Sequence, residues 1–200
     1  VKYEMIKEVY TQKKINLSAL FKIINVSPKI GYRYLEELLS SSILQEQLEG
    51  KKPTLRYLLP HYSNAGILCF ALIEEERKLK FLARHKELRG PLEQFAANIG
   101  KNIIMMIFGS FARGGESKDS DIDILLLGKK IDKKKVEMAS ETCFVTVSPR
   151  ISMRIMEESD FVRSLQQKDA FAMQIDSNHI IISETFSFVT LVKESQKYSF

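Results

Sequence analysis

The chain has few cysteines, no long apolar run and no internal repeat, and each shortage removes a class of protein. Cys69 and Cys143 are its two cysteines. They lack metal-ligand spacing, and with three scattered histidines they cannot build a zinc site of the usual kind, so reduced thiols are expected. The longest apolar run, Ala65–Ile73 with Gly66 inside it, falls well short of the ~18–20 residues that cross a bilayer, so no membrane span is expected. The opening residues Val-Lys-Tyr-Glu-Met hold no apolar h-region or cleavage site, which makes a cytoplasmic protein the expectation. No period of about 20–50 residues signals a solenoid, and no low-complexity tract occurs. With 200 residues, 44% hydrophobic and 28% charged, the chain has the composition of one large or two small folded domains.

Lys and Arg number 30 against 25 Asp and Glu, a net charge of +5, which favours an anionic partner. The surplus is unevenly placed. Residues 1–60 hold ten bases and six acids, residues 61–100 six and five, and residues 101–200 fourteen of each. The local cluster of Lys129, Lys130, Lys133, Lys134 and Lys135 reads as a solvated face, with a nucleic-acid contact as the alternative.

The first sixty residues read as three short helices and a hairpin. Met5, Ile6, Val9 and Tyr10 recur at helical spacing, and Ser18 is the expected cap of a second helix carrying Leu20, Phe21 and Ile24. Ser27-Pro28 opens a third, with Leu35, Leu38 and Leu39 as its buried stripe. Ile43–Leu48 and Leu55–Leu59 then flank a basic turn. This order resembles a winged helix-turn-helix domain, whose third helix enters the major groove of double-stranded DNA while the wing follows the backbone. Under that resemblance Lys29, Tyr32 and Arg33 on the helix and Lys51, Lys52 and Arg56 on the wing are the expected DNA contacts. Glu36 and Glu37 carry the wrong charge for phosphates, so a protein-docking or dimerisation module is the competing reading.

Residues 61–100 read as a helical connector and a candidate homodimer interface. Leu68, Leu72, Leu79, Leu82 and Ala83 mark its expected apolar face, Gly90-Pro91 its expected break, and His85 an expected surface residue.

The chemistry lies in residues 101–200. Ile103–Phe108 is a continuous apolar run that fits a buried strand, followed by Gly109-Ser110-Phe-Ala-Arg113-Gly-Gly. A glycine after a strand admits a phosphate close to the backbone, and a serine adds a hydroxyl donor. Asp121 and Asp123 are two apart, so on a strand they leave the same face. Paired carboxylates repel unless a cation lies between them, and Mg²⁺ favours one or two carboxylates plus phosphate oxygens.

Gly109-Ser110 followed by Asp121-x-Asp123, in the strings Gly-Ser-Phe-Ala-Arg-Gly and Ser-Asp-Ile-Asp, resembles the minimal nucleotidyltransferases of the DNA polymerase beta superfamily. The resemblance implies an α+β chain overall: a winged helix-turn-helix domain (1–60), a helical connector (61–100) and a nucleotidyltransferase fold of mixed sheet backed by helices (101–200). It further implies that Gly109, Ser110 and Arg113 hold a nucleoside triphosphate and that Asp121 and Asp123 are catalytic ligands of Mg²⁺ or Mn²⁺. Members of the family usually add a third carboxylate on a following strand. Here the expected strand, Cys143–Ser148, has none, and only Thr146 and Ser148 are polar candidates. Minimal nucleotidyltransferases are often paired with a small helical toxin-like protein, which makes one a candidate partner.

Helices are expected over Met153–Gln166 and Ser183–Lys197, with a strand at His179–Ile182 between them. His179 reads as a structural or surface residue, with catalytic base as the alternative. Two functions follow: transfer of a nucleoside monophosphate to a protein or nucleic-acid acceptor, or a DNA-binding regulator whose nucleotidyltransferase-like half senses a nucleotide or mediates assembly.

Overall fold

The computed structural model describes residues 1–51, 54–117, 120–148 and 150–196. The chain divides into two compact units, Val1–Ile73 and Glu74–Phe200. The stretch expected as a connector is shared between them.

In the first unit the order is α1 (Lys2–Gln12), β1 (Ile15–Asn16), α2 (Leu17–Ile23), α3 (Pro28–Ser40), β2 (Leu44–Glu49), β3 (Leu55–Pro60) and the start of α4 (Asn64–Arg84). The strands form an antiparallel sheet in the order β1-β3-β2. Met5, Ile6, Val9 and Tyr10 are buried, as helical spacing dictates. Tyr10 stacks on Phe70 at 4.6 Å between centroids, and Tyr62 meets the same ring edge-on at 5.2 Å. Asn16, not Ser18, caps α2: its side-chain oxygen accepts from the Ser18 and Ala19 amides at 3.0 and 3.4 Å. Leu17 is already helical and buried, which moves the helix start ahead of the serine. The two-residue strand β1 is too short to leave a sequence signature and exists through its pairing of Ile15 with Leu58.

α4 buries Ile67, Phe70, Ile73, Glu74, Phe81 and Leu82, while Leu68, Leu72 and Leu79 of the expected apolar face are exposed. The helix ends at His85, whose amide donates to the Phe81 carbonyl at 3.0 Å, rather than at Gly90-Pro91. Pro91 lies inside α5 (Lys86–Ile99). Leu88, Leu92, Phe95 and Ile99 stay buried at helical spacing across it, and their burial outweighs one missing amide donor.

The remainder of the second unit is β4 (Ile104–Phe108), α6 (Gly109–Arg113), β5 (Ile122–Gly128), α7 (Lys133–Cys143), β6 (Ile151–Glu157), α8 (Glu158–Gln166), α9 (Ala170–Ser177), β7 (Ile180–Ser183) and α10 (Thr185–Gln196). Its sheet runs β6-β5-β4-β7, with β5 parallel to β6 and the other pairs antiparallel. One face, Met105, Ile107, Ile122, Ile124 and Leu126, packs with Phe81, Leu92, Phe95 and Val136. The other buries Met106, Leu125 and Leu127, with α8 and α10 against β5 and β4. This is the expected mixed sheet backed by helices.

Two C-terminal expectations change. Cys143 ends α7 and residues 144–148 form turns, so no strand exists there. The third strand is β6, cut from the first part of the helix expected over Met153–Gln166.

Candidate functional site

The site begins where β4 gives way to α6. Phe108 pairs with Asp123 across the β4–β5 ladder, and Gly109 follows with φ of 72°, a conformation in which a side chain would be strained. A Cβ there would stand 2.3 Å from Asp123 Oδ2, so the Asp123 carboxylate lies directly against the Gly109 backbone. Gly114, also left-handed at φ of 68°, ends α6, and the Gly115 amide donates to the Ser110 carbonyl at 3.0 Å. Before Asp121 the Ser117 amide donates to Ser120 Oγ at 2.9 Å and the Ser120 amide to the Ser117 carbonyl at 3.1 Å.

Asp121 is exposed and immediately precedes β5, whereas Asp123 is half-buried within it. Ile122 and Ile124 on either side of Asp123 are fully buried on the opposite face, which sets the direction of Asp123. Ser110 is half-buried and Arg113, last in α6, is exposed.

The register of β6 supplies two residues the sequence reading missed. Ser152 pairs with Asp123 and Arg154 with Leu125, and partners across a ladder share a face. Arg154 is exposed, with its guanidinium 5.0 Å from the centre of the Phe171 ring, and Phe171 meets Phe108 edge-on at 5.6 Å. A serine and an arginine therefore flank Asp123 on this strand, where the resemblance implied a carboxylate. Thr146 and Ser148 lie in turns and pair with no strand. The signal for β6 was the alternation of Ile151, Met153 and Ile155 with Ser152 and Arg154.

Neither histidine near this region is a surface residue. His85 lies 4.6 Å from the Phe81 ring and 5.5 Å from Phe111, and its Nε2 is 3.4 Å from Glu116 Oε1 in the loop after α6. His179 is completely buried in an ionic group. Its Nδ1 is 2.6 Å from the Ile175 carbonyl and its Nε2 3.3 Å from Glu74 Oε1. Arg77 donates to both Glu74 oxygens at 2.9 and 3.1 Å and to the His179 carbonyl at 2.7 Å. That set of partners is structural.

In the first unit Lys29, Arg33 and Lys51 are exposed, while Lys52 lies outside the described residues. Tyr32, 41% exposed, meets Phe21 edge-on at 5.4 Å and lies 5.4 Å under the Arg56 guanidinium. Arg56 is hydrogen-bonded to Glu46, which holds its pKa above the ordinary value despite partial burial. Of the six expected DNA contacts, Tyr32 and Arg56 are thus brought together, and the Arg56 charge is already balanced.

Among the described residues, no three or more His, Cys, Asp or Glu side chains converge as a metal cage. Two adjacent acids suit an ion carried on phosphate oxygens and completed by water, which is how Mg²⁺ is commonly bound. No match was found among curated proteins, and none among solved structures. Residues 92–186, which contain β4, α6, β5 and β6, match the model of a family described as "Polymerase beta, Nucleotidyltransferase", so this stretch of the second unit is a nucleotidyltransferase-like domain.

Proposed function

We propose that the second unit binds a nucleoside triphosphate and transfers its nucleoside monophosphate to a protein or nucleic-acid acceptor. The observation that carries this reading is the Asp123 carboxylate against the side-chain-free Gly109 backbone, inside the stretch that matches the nucleotidyltransferase family. Gly109 leaves room for a phosphate at the turn, Ser110 offers a hydroxyl donor, and Arg113 and Arg154 supply positive charge on either side. Asp121 and Asp123 hold Mg²⁺ or Mn²⁺, which when bound neutralises phosphate charge and favours in-line displacement. The acceptor oxygen forms a bond to the α-phosphorus as the bond to pyrophosphate breaks, and the acceptor proton leaves to solvent.

The first unit is read as a winged helix-turn-helix domain that binds duplex DNA through Lys29, Tyr32, Arg33, Lys51 and Lys52. Support comes from the helix and strand order, the β1-β3-β2 sheet and the exposed basic side chains of α3. The balanced charge of Arg56 makes it a support for Tyr32 rather than a phosphate contact.

A second reading is favoured by β6. Serine and arginine stand beside Asp123, and the one acid of that strand, Glu157, pairs with Gly128 at its other end, so β6 places no carboxylate next to Asp123 to accept a proton, which suits nucleotide binding without transfer. Incubation with each labelled nucleoside triphosphate, Mg²⁺ or Mn²⁺, and cell extract separates the two. Transfer is expected to vanish on Asp121→Asn with Asp123→Asn. Nucleotide binding without label transfer selects the regulator, and absence of both refutes each reading.

A further inference from the structure

A cavity of about 1090 Å³ opens at the other end of the second unit's sheet. Lys129 and Lys130 follow the last residue of β5, whereas Asp121 and Asp123 stand at its beginning. At about 3.3 Å per residue the two ends are roughly 20 Å apart. Lys101, from the turn into β4, and Lys135, on α7, join Lys129 and Lys130 in the lining. Lys135 Nζ would lie 3.3 Å from a Cβ at Gly100, which brings the α7 side chain onto the turn before β4. Among the described residues, none of these four ammonium groups has an ion pair or hydrogen bond. Asp132 lines the cavity beside them, its Oδ1 accepting from the Lys134 and Lys135 amides at 3.0 and 3.2 Å, so on this side four ammonium groups face one carboxylate.

The α8 and α10 side of the cavity differs. Phe186 lines it with 54% of its surface exposed, beside Thr190 and the acids Glu158 and Glu194. The Thr190 hydroxyl donates to the Phe186 carbonyl at 2.9 Å. The cavity thus offers unbalanced cations on one side and an open aromatic face on the other, with two carboxylates that repel phosphates from the aromatic side.

We propose that this groove binds single-stranded nucleic acid, its phosphates along Lys101, Lys129, Lys130 and Lys135 and a base against Phe186. Unbalanced lysines track a backbone, an exposed ring stacks on any base, and the pairing of the two is how sequence-tolerant single-strand sites are built. The groove is independent of the nucleotide site and of the duplex site proposed for the first unit.

The test uses the full chain and fluorescently labelled oligo(U) and oligo(dT) of about twelve nucleotides, titrated by anisotropy between about 50 and 200 mM salt. Preference for one of the two probes assigns RNA or DNA. Combined Lys129→Gln, Lys130→Gln and Lys135→Gln is expected to weaken binding about tenfold or more and to flatten the salt dependence, with the melting temperature as a folding control. Phe186→Ala is expected to weaken it about fivefold or more without changing the salt slope. Absence of binding at low salt overturns the proposal. So does affinity unchanged by the lysine variant, whatever Arg33→Ala with Lys51→Ala does. Equal affinity for polyphosphate or anionic vesicles, insensitive to Phe186→Ala, overturns it in favour of a general polyanion surface.

Discussion

In the second unit β4 exposes none of its five residues, whereas in the first unit β2 leaves four of its six open to solvent. The difference follows from coverage. Helices pack on both faces of the β6-β5-β4-β7 sheet, so its central strands are apolar runs. The β1-β3-β2 sheet buries Leu44, Leu58 and Pro60 on one face of its β2–β3 pair, while the opposite face holds no buried residue and Leu48 and Leu55, at the Glu49–Leu55 end of the pairing, remain 62% and 45% exposed. Charge divides in the same way. Residues 1–60 carry a net surplus of bases, whereas residues 101–200 are neutral overall but collect Asp121 and Asp123 at one end of β5 and lysines at the other. One unit carries a net basic surplus with acids interspersed. The other sorts opposite charges to the two ends of a buried sheet.

The comparison breaks if the two units do not respond separately, and α4 offers the test because Phe70 and Arg77 are two turns apart on it but belong to different units. The largest effect is expected from Arg77→Ala, which removes both hydrogen bonds that Arg77 Nη1 makes to the fully buried Glu74 carboxylate and should destabilise the second unit by about 3–5 kcal/mol. Phe70→Ala removes a completely buried ring from between Tyr10 and Tyr62 and should cost the first unit a similar ~3–5 kcal/mol, the lower figure if the tyrosines collapse inward. Differential scanning calorimetry should show each variant lowering a different transition. A single shared transition shifted alike by both would abolish the distinction.

Gly109→Ala places a side chain at φ of 72° and forces the Asp123 carboxylate aside, for about 1–3 kcal/mol of strain. It should sharpen the contrast by eliminating the Mg²⁺-dependent nucleotide binding proposed for the second unit, read by isothermal titration, while leaving the duplex binding proposed for the first unit intact.

The smallest effect concerns Glu75. Burial pushes its carboxyl up, but hydrogen bonds from Lys78 and Thr185 and the Lys78 charge outweigh that and hold it below the ordinary carboxylate value. A carboxylate with a depressed pKa in the folded state adds stability above the unfolded value and loses it as the pH falls through the folded one. The second unit should therefore weaken on acidification below the usual carboxylate range, and Glu75→Gln should flatten that decline in melting temperature. Because the side chain is 41% exposed, the change is expected to be slight.

How far the fold was legible depended on how each element is held. Helices α1 and α3 and strands β4 and β5 have uniform local patterns, and the spacing of Gly109-Ser110 and Asp121-x-Asp123 was legible through its resemblance to the nucleotidyltransferase signature. β1 and β6 were missed because pairing with β3 and β5 makes them strands, and their own residues are ambiguous. The expected leucine stripe of α4 failed for a related reason. Leu68, Leu72 and Leu79 fall on one face, but Ile67, Phe70, Ile73, Phe81 and Leu82 bury another, and periodicity cannot rank two apolar faces of one helix.

What the sequence by itself determined is a glycine after an apolar strand, two aspartates two residues apart, and a basic excess in the first sixty residues. These are local facts, dictated by backbone alternation and composition. Tertiary structure alone decided what stands beside the pair. Ser152 and Arg154 come next to Asp123 and Leu125 through a parallel register between segments some thirty residues apart, and the lysines at the far end of β5 line one cavity with Phe186 only because α10 returns to the same sheet. Sequence spacing constrains neighbours on one element, while register and packing choose neighbours across elements.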